Sequence, residues 1–243
     1  MRRLTPQAVW DGVRSGIFLP VGYLTQLIGL QTITASRSAF ITSTALVMVP
    51  FVAYFVLRTM PGFGEVAGVV LAFVGLLFFY ADAGFSLRAG DLWTLSCALA
   101  FAFQIVYTNV AARRTDALTV AIVQSLVAAV AGWGMLAWRH GGLHVAWGAV
   151  PWATMIYLSV LATALILALQ AWALGRTSPV RAGVIYTLEP VFAAAFAMTF
   201  FAERMHGREV LGSAVILAGV LAAEVWRPRR ESFQDELQGG SFT

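Results

Sequence analysis

Glu189 is the residue with the most to explain. It is a carboxylate well inside an apolar run, in the order Tyr186-Thr187-Leu188-Glu189-Pro190. Ionised in hydrocarbon it would cost several kcal/mol, so it must face protein or a wet cavity, or keep its proton. Two uses fit. It can carry a proton or recognise a substrate amine, or it can accept hydrogen bonds from groups freed by a kink at Pro190. Tyr186 lies three residues earlier on the same helical face and can reach a shared ligand. Gln26 and Gln170 are each set in an apolar run; an amide both donates and accepts, which suits a zwitterionic or amide-bearing solute. The other use of such a glutamine is to tie one helix to another. Gln104 and Tyr107 share one side of a helix with Cys97, Thr108, Ala100 and Ala111. That stripe avoids lipid, and both cavity lining and tight packing account for it. Gln124 stands alone in its run and reads as a packing residue. Thr42, Ser43 and Thr44 precede Pro50 and suit carbonyls that the proline leaves unbonded.

Other chemistries lack their residues. His140 and His144 are four apart, but Gly141-Gly142 argues against a helix there and no third ligand accompanies them, so no metal site is expected. His206-Gly207-Arg208-Glu209 is not a zinc-protease arrangement. All sixteen basic residues are arginine, which removes lysine Schiff-base chemistry and lysine-dependent phosphate loops. Cys97 is the one cysteine, so no disulfide closes within the chain. The expectation is therefore no enzyme, no cofactor and no ATP-driven pump. The net charge of +4 is spread over short clusters between apolar runs, which does not point to nucleic acid as a partner.

The elements that must position these residues follow from hydropathy. Residues of hydrophobic type make up 59% of the chain and charged ones 12%, against roughly a quarter charged in a soluble domain. A bilayer core needs about 20 apolar residues as helix. Eight stretches meet that need: residues 13–33, 38–57, 64–81, 91–112, 119–138, 151–173, 180–201 and 208–226. The expected fold is an all-α integral membrane protein with eight transmembrane helices. Residues 1–12 form an expected cytoplasmic N-terminal segment, and residues 227–243 a polar, disordered tail. Alternating the connections puts eleven arginines on the side of the N-terminus and five opposite, which places both termini in the cytoplasm. Trp10, Trp93, Trp138, Trp147, Trp152 and Trp226 lie near span ends as interfacial anchors; Trp172, beside Gln170, can serve the cavity instead.

An internal repeat runs at one offset, 144 residues, without gaps. It sets Gln26 on Gln170, Arg37 on Arg181, Glu65 on Glu209, Gly68 on Gly212 and Gly75 on Gly219. Polar and glycine matches in one register are hard to obtain from an apolar alphabet alone. Residues 13–81 then form a partial first repeat of three helices, and residues 91–226 a second of five, three plus five from a five-plus-five pattern. An odd number of spans per unit turns the copies upside down relative to each other, with a site expected at their interface near the midplane. Pro50 and Pro190 fall in corresponding helices, about one turn apart, as matched helix kinks. Arg37, Arg181 and Glu203-Arg204 lie at helix ends, where pairing with loop carbonyls or lipid phosphates would fix the repeat geometry.

The stretch from Gln31 to Thr42, with Val49-Pro50, resembles the third and fourth helices of the drug/metabolite transporter superfamily, EamA branch. Arg176-Thr177-Ser178-Pro179-Val180-Arg181-Ala182-Gly183, Leu188-Glu189-Pro190-Val191-Phe192 and Glu203-Arg204 resemble its ninth helix, and Gly212 through Gly219-Val220-Leu221 its tenth. The resemblance implies ten helices in two inverted repeats, cytoplasmic termini, and transport of small metabolites, often export of amino acids or related compounds. This chain departs from that pattern by lacking the first two helices. The expected function is a secondary carrier working by alternating access in a bacterial inner membrane. A small-molecule substrate and the lipid bilayer are its partners, with proton coupling through Glu189 and a homodimer as further expectations. The alternative is a shortened, non-transporting membrane protein, or one that supplies helices to an assembly.

Overall fold

A computed structural model describes residues 5–80, 88–140, 151–201 and 207–226. Within them the regular structure is helical: α1 (Pro6–Gly16), α2 (Phe18–Gly29), α3 (Ala35–Ser43), α4 (Ala45–Leu57), α5 (Phe63–Tyr80), α6 (Ala89–Arg114), α7 (Ala117–His140), α8 (Trp152–Ile156), a π-helical stretch (Tyr157–Leu165), α9 (Ile166–Leu174), α10 (Pro179–Tyr186), α11 (Leu188–Phe201) and α12 (Gly207–Val225). Four helical runs are long and apolar enough to cross a membrane: Arg37–Leu57, Ala89–Arg114, Ala117–Ala137 and Trp152–Leu174. The apolar helix Phe63–Phe78 is shorter.

The first helix begins at Pro6, seven residues before hydropathy places a span. Thr5 caps it, accepting from the Ala8 N–H at 3.2 Å, and Pro6 supplies the preset φ of a first helical position. Hydropathy leaves residues 6–12, with Asp11, outside the first span, yet Asp11, like Ser15, is buried where α1 packs on α6 and α7. The sequence reading treats Glu189 as the one carboxylate deep in the fold; Asp11 is a second, with its Oδ2 buried and unpartnered among the described residues.

Breaks within the rods have local causes. Pro20 and Pro190 cannot donate to the carbonyls four residues earlier, and the helices part at Ile17 and Thr187, three residues before each. Pro50 behaves differently: α4 runs through it, and the break falls at Thr44. Thr44 and Thr187 share a device. Each turns its hydroxyl back to the carbonyl three residues earlier, on Ile41 and Val184, a bond that bends helices. In the π-helical stretch Thr163 reaches back five residues to the Leu158 carbonyl at 2.8 Å.

α6 is the central strut. Its 26 residues span about 39 Å at about 1.5 Å per residue, and it packs on α1, α2, α3, α4, α7, α9 and α10. Small buried residues (Ala98, Ala102, Ala111) let those neighbours approach. The core joins Ala102 to Leu46, Val49 and Val52 of α4, Leu76 of α5, Leu174 of α9, Val184 of α10 and Ile216 of α12.

The 144-residue offset is visible in the helix boundaries. α3 begins at Ala35 and α10 at Pro179, capped by Thr34 and Ser178, whose hydroxyls accept from the N–H groups of Arg37 and Arg181 at 3.3 and 3.1 Å. α5 begins at Phe63 and α12 at Gly207. α5 and α12 run antiparallel in close contact. A Cβ on Gly68 would stand 2.9 Å from the Gly219 carbonyl oxygen, and one on Gly75 2.8 Å from that of Gly212. Adding 144 to one partner and subtracting it from the other turns the first contact into the second.

Candidate functional site

A cavity of about 820 Å³ lies among α2, α3, α4, α6, the π-helical stretch, α9, α10 and α11. Its polar lining includes Gln26, Thr42, Ser43, Gln104, Thr163, Gln170, Tyr186, Thr187 and Glu189, and its apolar lining Leu19, Tyr23, Phe101, Ile166 and Pro190. Of the residues the sequence singles out for a cavity, Gln26, Gln104, Gln170, Tyr186 and Glu189 come together here. Tyr107 does not. Its ring stacks with Phe18 at 5.5 Å between centroids, on the flank of α6 that meets α2. Trp172 also lies away from the lining, under the Arg176 guanidinium at 4.2 Å.

Each polar group is positioned by a neighbour. The Gln26 amide donates to the Thr42 hydroxyl at 3.2 Å. Shifted by 144 residues, that pair becomes Gln170 and Tyr186, which both line the cavity. Gln104 donates to Gln170 at 3.2 Å and to the Thr108 hydroxyl at 3.1 Å. Behind them, Gln124 donates to Thr108 at 2.6 Å and to Ser15 at 2.8 Å. A continuous polar file thus runs from α1 through α7 and α6 to the cavity wall on α9. Gln124 is therefore not an isolated packing residue; its partner Ser15 is 109 residues away, at the start of the first expected span, and no local signal links them.

Glu189 opens onto the cavity three residues after Tyr186. Among the described residues no hydrogen bond or ion pair reaches its carboxylate. The reading in which it satisfies groups at the Pro190 kink finds no such bond there.

Two ion pairs tie cavity-lining helices to their neighbours. Arg37 meets Asp91 through two bonds, Nε to Oδ1 at 2.6 Å and Nη2 to Oδ2 at 2.7 Å, joining α3 to α6. Asp91 also accepts from the Arg88 N–H at 2.7 Å, which fixes its carboxylate at the helix start. Arg181 lies 3.7 Å from Glu65, joining α10 to α5, and Ser178 donates to the same carboxylate oxygen. Both arginines pair with carboxylates, because α5 and α6 bring an acid to each. Glu203, Arg204, His144, His206 and Trp147 lie outside the described residues. Among the described residues no cluster of His, Cys, Asp and Glu is suited to a metal.

A bundle of long apolar helices around a cavity of mostly apolar lining, set with a few polar groups, is the make-up of a polytopic membrane protein. Residues 1–81 and 88–223 match the model of the EamA-like transporter family, and the chain belongs to that family. It is thus an integral membrane protein of a transporter family in the drug/metabolite transporter superfamily. It is 31% identical over 216 residues to an uncharacterized transporter of Archaeoglobus fulgidus, covering 87% of this chain and 67% of that one. A solved crystal structure superposes with a TM-score of 0.73 at 19% identity, over 94% of this chain and 80% of that one; this likeness shows the fold alone.

Proposed function

We propose that the chain is a secondary carrier for small organic metabolites, such as amino acids or related compounds, exporting them across a bacterial cytoplasmic membrane by alternating access. The observation that carries the reading is the cavity, open-sided and mostly apolar but set with polar groups from both copies of the repeat. Eight crossings follow from counting the broken rods α1–α2, α3–α4, α8–α9 and α10–α11 as one each, with both termini cytoplasmic by the arginine bias. Residues 13–81 and 91–226 are then the two inverted repeats. The antiparallel α5–α12 pair and the matched caps Thr34 and Ser178 support that arrangement.

In this reading the repeats rock about the cavity, and the two ion pairs serve as unlike latches. The Arg37–Asp91 latch is held by paired short bonds, whereas the Arg181–Glu65 latch is held at 3.7 Å, with the Arg181 Nε buried and unpartnered. Glu189 couples transport to protons by alternating between its ionised and neutral forms within the cavity. The test is uptake of labelled amino acids and amines into proteoliposomes at several pH values. Saturable uptake above empty liposomes is expected, with a pH dependence that Glu189→Gln abolishes. Uptake no greater than in empty liposomes rejects the carrier, and pH dependence that survives Glu189→Gln rejects the coupling.

A further inference from the structure

We infer that the cavity selects singly protonated amines over zwitterions and anions, with Glu189 as the group that reads the charge. This rests on the carrier reading above and, within its substrate class, favours the related amines over the amino acids themselves. Among the described lining residues Glu189 is the only acid, and neither arginine nor histidine lines the cavity. The arginines nearest in sequence are committed elsewhere, Arg37 to Asp91 and Arg181 to Glu65. A solute carboxylate would therefore meet a like side chain and find no cation among the described lining residues to pair with it. A solute ammonium meets an unpartnered carboxylate instead, in a hydrogen bond strengthened by charge.

The rest of the lining fits an uncharged body. The Gln26, Gln104 and Gln170 amides can exchange one partner for a hydroxyl or amide of the solute. Tyr23 and Phe101, edge to face at 5.6 Å, present aromatic surface on which an amine or a ring can rest. The volume accommodates a fused-ring amine with room for bound water. The substrate class is an amine with an apolar or aromatic body, neutral polar groups and no carboxylate.

The test reads the charge of the cavity without needing the natural substrate. In a Cys97→Ala background, Tyr186→Cys places a thiol three residues from Glu189. Its modification rate is measured with the cationic trimethylammonium-ethyl and the anionic sulfonato-ethyl methanethiosulfonate, each normalised to a free thiol in solution. The cation is expected to react at least about tenfold faster, as charged clefts enrich counter-ions. Adding Glu189→Gln is expected to bring the two normalised rates together. Equal rates in the Glu189 protein, preference for the anion, or a cation preference that persists in Glu189→Gln overturns the inference while leaving the carrier intact. Absence of reaction with both reagents means no solvent-filled cavity, and overturns the carrier reading together with it.

Discussion

Gln124 and Gln170 look alike in the sequence, each an amide in an apolar run, but their surroundings divide their roles. Gln124 is fully buried and bonded to Ser15 and Thr108, so Gln124→Leu is expected to cost about 1 kcal/mol of stability, the usual scale for such bonds between membrane helices. Thermal unfolding in detergent checks this, and uptake by the surviving folded protein should be unchanged. Gln170 sits on the cavity wall between Gln104 and Tyr186. Gln170→Leu is expected to lower uptake several-fold with little change in the unfolding midpoint. If the two variants behave the same way, the cavity wall is misplaced. The cavity residues were legible because a glutamine or glutamate in an apolar run has few places to go. Tyr107 was not separable from Gln104 by that logic. The two lie about 60° apart around α6, at about 100° per residue, which is enough to place one in the cavity and the other against Phe18. Asp11 was hidden for the opposite reason, since a hydropathy window discounts a segment for the polar residues that it buries.

At the scale of elements, the contact between α5 and α12 depends on missing side chains. A Cβ on Gly68 would lie 2.7 Å from the Ala223 Cβ, and one on Gly75 2.6 Å from Ile216 Cγ1, with backbone behind each. Gly75→Val is expected to push the helices apart at a cost of about 1–3 kcal/mol, the usual range for overpacking, read as a lower unfolding midpoint. By the repeat relation Gly219→Val should cost a similar amount, whereas Gly132→Val on α7, with nothing within 4 Å, should leave packing undisturbed. The Arg37–Asp91 latch gives a second check. Asp91→Asn takes the Asp91 charge from a half-buried guanidinium, so the variant should be less stable than the Arg37→Gln, Asp91→Asn double variant. The register of the repeat was readable from Arg37/Arg181 and the paired glycines, because each type serves a fixed geometric task. The break at Thr44 was not, since Pro50 draws attention six residues away while a threonine back-bond, common in any helix, sets the actual position.

For the molecule as a whole, the account depends on two like modules inserted in opposite senses around one polar cavity. Membership of the EamA-like transporter family and the antiparallel α5–α12 pair point the same way. The turn before α5 and the start of α12 are equivalent under the repeat, so they should lie on opposite faces of the membrane. Met60 is 76% exposed and Gly207 has open space where a side chain would go, so a cysteine is tolerated at either site. The most direct measurement is labelling of Met60→Cys and Gly207→Cys, in a Cys97→Ala background, with a membrane-impermeant maleimide on intact spheroplasts and on inverted vesicles. The account predicts Gly207→Cys labelled from outside and Met60→Cys only from the cytoplasmic face. Labelling of both from one face would contradict it.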